Sequence, residues 1–282
     1  MRLDDDDRSN VEDRRGSALG GAGVKLGLGG TVVLLALSLL FKQDMFALLG
    51  ASEGGGGGAP VPQAEVQRRT ASEQALEKVA VGSFNDSQRL WAGELAQRGY
   101  RDARMVLFWD RTQSGCGGAA AEMGPFYCPE DQRVYIDLGF YRELATRFGA
   151  PGAFAQAYVI AHEVGHHVQG VLGIEPKVRA AQARHPEQRN ALSIRMELQA
   201  DCLAGIWGHS AQQRNLLDSG DVEAGLAAAA AVGDDRIQKA ATGHVSPESF
   251  THGSAEQRTR WFRRGLETGR LDACDTFSAE RL

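Results

Sequence analysis

No cysteine occurs before residue 116, no internal repeat is present, and basic residues are outnumbered by acidic ones, 31 to 36, in a chain of 282. The missing repeat argues against a solenoid or other stacked array. The net charge of −5 gives no support for nucleic-acid binding. Charge is also absent from Leu26 to Phe41, a stretch bracketed by Lys25 and Lys42. What the chain does have is enough apolar material, 43% hydrophobic residues, to bury a full core.

The uncharged run is short for a bilayer span of about 20 residues. Flanking lysines can snorkel, and the apolar MFALLG after Asp44 can lie at the interface. A signal-peptide core is the rival, but its charged lead is long and no A-x-A-like site follows closely. A buried core helix is a further alternative, although the run is apolar all round rather than striped. The expectation is therefore a single-span anchor over 24–49, preceded by a polar cytoplasmic tail at 1–23. That tail is expected to be disordered or membrane-proximal. A flexible Gly/Pro-rich linker follows at 50–69, then one globular domain at 70–282. Arg2, Arg8, Arg14, Arg15 and Lys25 precede the run, whereas Lys42 alone follows it before Arg68 and Arg69. By the positive-inside rule the N-terminus stays in the cytoplasm and the domain is exported across the cell (inner) membrane. All four cysteines, Cys116, Cys128, Cys202 and Cys274, then fall on the side where disulfides persist.

The domain is organised around AYVIAHEVGHHVQG, Ala157 to Gly170. Phe154, Ala157, Tyr158 and Ala161 recur at helical spacing, which places His162, Glu163 and His166 late in a buried helix. Residues four apart on a helix differ by about 40° around its axis, so both imidazoles aim at one point, where Zn²⁺ could accept them. Glu163 lies about 100° further round. From there it can take the proton of a water whose pKa zinc lowers to near 7. A satisfied pair of core histidines is the alternative. Gly165 lets neighbouring backbone approach, and His167 points elsewhere, as a supporting or partly exposed side chain.

A catalytic zinc needs one more protein ligand. The candidate is Glu197, on a long helix expected from about Glu187 to His209, with Asp201 one turn on to accept a ligand histidine's ring N–H. A solvated Glu-x-x-x-Asp face is the alternative, made less comfortable by Ala200, Leu203, Ala204 and Trp207.

Elsewhere, Ser72 to Leu95 reads as helical with a break around Gly82 to Asp86. Met105–Asp110 and Arg133–Phe140 read as strands, and the residues between them as an irregular loop carrying Cys116 and Cys128. A bridge between those two would pin the loop, with reduced thiols as the alternative. Cys202 and Cys274 could staple the tail to the Glu197 helix, but four cysteines allow three pairings. Residues 171 to 186 read as a connection, and Asp221 to Ala241 as one Ala-rich scaffold helix. A last helix starts near Ala255, capped by Ser254 or Thr251, with Trp261, Phe262 and Leu266 inward. In the loop before it, His252 could donate to the oxyanion formed when water attacks a peptide carbonyl, with Arg258 assisting.

With these pieces assembled, the chain resembles the bacterial neutral zinc metallopeptidase family. The matching segments are SNVEDRRG, the apolar run, the Gly/Pro tether, SGCG…FYCP, HEVGHHVQ, ELQADCLAG and FTHGSAEQR. The resemblance implies a zincin-like fold, one Zn²⁺ and, as in gluzincins, Glu197 as third ligand with Asp201 as its orienting partner. It also makes His252 a candidate near the substrate oxyanion. The fold expected is α+β, mainly helical with a small sheet beside the active-site helix, preceded by one transmembrane helix. The function expected is metalloendopeptidase action on a protein or peptide substrate. A tethered non-catalytic assembly protein with a structural metal, or a hydrolase of cell-wall amides, are the alternatives.

Overall fold

The structure, a computed structural model, describes residues 1–3, 5–15 and 70–282. The expected anchor and linker lie outside the described residues. Among those described, no helix is long and apolar enough to cross a membrane.

The fold is α+β and mainly helical. Strand β1 is Val11–Asp13, after which helix α1 covers Ala71–Glu94. Then come β2 (Arg104–Phe108), β3 (Arg111–Ser114), β4 (Gly117–Ala120), β5 (Phe126–Cys128) and β6 (Arg133–Asp137). The rest is helical: α2 (Gly139–Thr146), α3 (Ala153–Val171), α4 (Ile174–Arg184) and α5 (Arg189–Gln213), then α6 (Asp221–Ala231), α7 (Asp234–Thr242) and α8 (Ala255–Thr268).

Several expectations are corrected here. Helix α1 has no break at Gly82–Asp86; it begins on a capping box in which Thr70 and Glu73 satisfy each other's backbone N–H groups. The stretch read as a connection contains α4, because Pro176 falls in its first turn, where no intrahelical N–H is lost. The Ala-rich run divides into α6 and α7. The cysteine loop is a β3–β4 hairpin leading into β5, and Cys116 bridges to Cys128. The polar N-terminal stretch, expected to be disordered, supplies β1.

The main sheet has the order β1-β2-β6-β5, with β1, β2 and β6 parallel and β5 antiparallel at the edge. After the exposed Arg104, Met105–Phe108 of strand β2 are continuously apolar because both faces are covered there, as parallel sheets require. Met105 and Leu107 join the helical core, whereas Val106 and Phe108 pack with Tyr135 and Cys128 on the other face.

Helix α3 runs through the middle of the core. Phe154 stacks on Trp207 of α5 at 5.7 Å, and Tyr158 meets Phe262 of α8 edge-on at 4.9 Å. Gly165 brings α3 and α5 close: a Cβ there would lie 3.1 Å from the Ala200 carbonyl oxygen. Helix α8 starts on a second capping box, Ser254 with Gln257, and turns Trp261, Phe262 and Leu266 inward. Cys202 of α5 bridges to Cys274, fixing the C-terminal tail to the helix that carries Glu197.

Candidate metal centre

The close approach at Gly165 sets two helix faces against each other. His162 and His166 project from α3 and Glu197 from α5. His162 Nε2 lies 3.2 Å from Glu197 Oε2, and His166 Nε2 lies 3.5 Å from Oε1 of the same carboxylate. Ligands about 2.0–2.1 Å from a tetrahedral zinc stand about 3.4 Å from each other, so both spacings suit one ion. Among the described residues this is the one group of three or more His, Cys, Asp or Glu side chains arranged to hold a metal. His166 and Glu197 keep 18% and 19% of their side chains exposed, so the group opens to solvent on one side.

Both imidazoles are fixed from behind. His162 Nδ1 donates to Asp201 Oδ1 at 2.9 Å, and His166 Nδ1 lies 2.9 Å from Gln169 Oε1. The Gln169 amide nitrogen donates to the Met196 carbonyl and to Gln199 Oε1, so its oxygen must be the acceptor facing His166. Nδ1 is thus the donor committed on each ring, which leaves Nε2 turned toward the shared point. Gln169 went unnoticed as a site residue in the sequence, where its only signal is its place three residues past His166.

Asp201 is fully buried. Burial raises its pKa, but Arg258 and then His162 outweigh that and hold it below the usual carboxylate value. Arg258 grips both oxygens, Nε to Oδ2 and Nη2 to Oδ1, each at 2.9 Å, and Tyr158 OH donates to Oδ1 at 2.5 Å. Its Nη1 donates to the Val232 carbonyl. Arg258 therefore does not assist at the oxyanion, since its donors are committed behind His162.

Burial raises the pKa of Glu163, and the two histidines only partly offset the rise. The Tyr127 backbone, in edge strand β5, adds a small restraint on that rise. Glu197 behaves oppositely. Burial raises it, but His166, His162 and His252 hold it well below the carboxylate norm, so it stays ionised. Burial alone would lower His162, yet Asp201 and Glu197 push it up to about 10.

A model of the family described as "Putative neutral zinc metallopeptidase" matches residues 1–277. The chain belongs to this family. It is 44% identical over 280 residues to the uncharacterized protein YpfJ of Escherichia coli K12, covering 95% of each chain. It is 45% identical over 214 residues to the uncharacterized protein Rv2575 of Mycobacterium tuberculosis H37Rv, covering 72% of this chain and 71% of that one. No solved structure matches it significantly.

Two further predicted positions of this metallopeptidase-family chain, His252 and His167, differ in their surroundings. His252 precedes α8 with about half its side chain exposed, near enough to Glu197 for each to shift the other. Its loop is built on Asp234, another residue the sequence did not reveal. Asp234 Oδ2 accepts the backbone N–H groups of Thr251 and His252 at 2.7 Å, and Oδ1 lies 3.1 Å from His252 Nδ1. Its partial burial works against a charged His252, but Asp234 and then Glu197 outweigh it and raise the pKa. His167 is not partly exposed but buried. It ties α3 to the sheet side, accepting from Tyr127 OH and donating to the Arg101 carbonyl.

Proposed function

We propose that this protein hydrolyses peptide bonds with one Zn²⁺ held by His162, His166 and Glu197, and that it works outside the cytoplasm. The observation that supports this most is a three-ligand set with an open side. A structural zinc takes four protein ligands, whereas a catalytic one keeps a position for water. Two disulfides support the oxidising compartment.

When bound, zinc supplies an acidified water and polarises the substrate carbonyl. The protein's own groups do the rest. Glu163, whose pKa burial raises, takes the water's proton and returns it to the leaving amine nitrogen. His252, held by Asp234 through Nδ1, offers Nε2–H to the carbonyl oxygen as it gains negative charge. Glu197 stays anionic, and Asp201 with Arg258 keeps the His162 ring in place.

The full chain should cleave casein, stop when the metal is chelated, and resume when Zn²⁺ is returned. Purified cell-wall material serves as the competing substrate. Cleavage of that material with casein untouched, or hydrolysis indifferent to chelation, would refute the peptidase reading.

Two expectations follow from the groups behind the ligands. Arg258→Met leaves Asp201 buried without its counter-charge, so zinc affinity should fall about 10–100-fold. Arg258→Lys should recover only part of this, because an ammonium cannot reproduce the two-pronged grip. Competition with a chelating dye measures both. In the metal-free chain His162 binds a proton up to about pH 10, so that proton stabilises the fold below its ordinary value near 6.5 and is lost as pH rises through 10. Zinc must displace it. Binding at about pH 7 should therefore release a proton, and affinity should climb with pH; calorimetry in buffers of different ionisation heat reads the release.

A further inference from the structure

The described residues at the N-terminus, 1–3 and 5–15, lie against the metal domain, and Val11–Asp13 form the outermost strand of its main sheet. Val11, Glu12 and Asp13 pair in parallel with Met105, Val106 and Leu107. The Met105 N–H donates to the Asn10 carbonyl at 2.9 Å, and the Arg14 N–H to the Leu107 carbonyl at 2.8 Å. Arg15, with only 6% of its side chain exposed, reaches an equally buried Glu77 of α1 at 2.8 Å. Further along α1, Asn85 Nδ2 donates to the Asp7 carbonyl at 2.7 Å, and Arg89 pairs with Asp5. The amino group of Met1 meets Asp221, at the start of α6, at 2.9 Å.

Gly82 gives an independent sign that this arm belongs where it lies. Glycine in a helix interior is destabilising relative to alanine. Here a Cβ would stand 3.1 Å from Leu3 Cβ and 3.4 Å from the Asp5 carbonyl oxygen. The position that looks like a helix breaker is the seat of the arm. The family model also runs unbroken from residue 1 to 277, through arm and domain alike.

We infer that residues 1–15 stand on the same side of the membrane as the metal domain. The hydrocarbon core of a bilayer is about 30 Å thick, and a chain crossing once would put that distance between its two ends. Hydrogen bonds near 3 Å cannot bridge it, and an arm carrying Arg8, Arg14, Arg15 and several acidic residues cannot enter it. Docking of the arm and a single crossing between residues 16 and 69 exclude each other. The positive-inside count pointed the other way because it treats arginines as unattached cations. In the fold Arg8 pairs with Glu77, Arg14 with Glu12, and Arg15 with Asp13 and Glu77.

The test uses the full chain in its native membrane. Single cysteines replace exposed Asp6 in the arm and exposed Glu94 at the end of α1. A membrane-impermeant maleimide should label both from the same face. Labelling from opposite faces overturns the inference. A second variant, Asn10→Cys with Asp102→Cys, uses a pair whose side chains hydrogen-bond at 3.2 Å. With a protease site inserted in the Gly-rich stretch 54–58, the cut fragments should stay joined until reductant is added. Fragments that separate without reductant, in chains whose Glu94→Cys counterpart is folded, would also overturn it.

Discussion

Glu163→Gln should keep its zinc and lose about 10²–10⁴-fold in the rate of casein hydrolysis, the usual contribution of a positioned general base. The amide has the same shape as the carboxylate, so the local geometry should survive. What it cannot do is take a proton from water. Burial raises the carboxylate's pKa, and the histidines restrain that rise. This balance suits a group that must both accept and release a proton. Because Glu163 is not one of the three grouped ligand side chains, metal content should be unchanged. The loss should fall on kcat with KM little altered, since the interaction is made in the transition state. Full activity in this variant would leave the metal with a structural role only.

Removing the third ligand should have the other large effect. In Glu197→Ala two imidazoles remain, and neither Asp201 nor His252 stands in the ligand group. Zinc should be lost on dialysis and hydrolysis with it. The fold should hold, because Leu198, Cys202, Leu203 and Trp207 keep α5 in the core and Cys202 remains bridged to Cys274. Metal analysis beside a thermal melt separates loss of the ion from loss of structure. A variant that kept stoichiometric zinc would show that Glu197 is not a ligand.

Much of this centre was legible from local pattern. His162, Glu163 and His166 sit on a helix whose apolar spacing declares its period, and Asp201 follows Glu197 by one turn. The start of α8 was legible because Ser254 and Gln257 form a capping signal within three residues. What stayed hidden depends on contacts between distant segments. Strand β1 is three charged or half-buried residues with no alternation, and it exists because β2 offers an edge far along the chain. Gly82 looked like a break because intrinsic propensity penalises glycine, while its reason, Leu3, lies far earlier in the sequence. Arg258 and Asp234 look like ordinary helix-surface residues until packing turns them toward Asp201 and His252.

X-ray absorption at the zinc edge of the purified full chain probes the three-ligand centre directly. Two imidazole nitrogens and a carboxylate from the chain should surround the metal at about 2.0–2.2 Å, with a water oxygen completing the shell and no sulfur. A shell containing sulfur, or one filled by four protein ligands, would contradict a hydrolytic centre built from His162, His166 and Glu197.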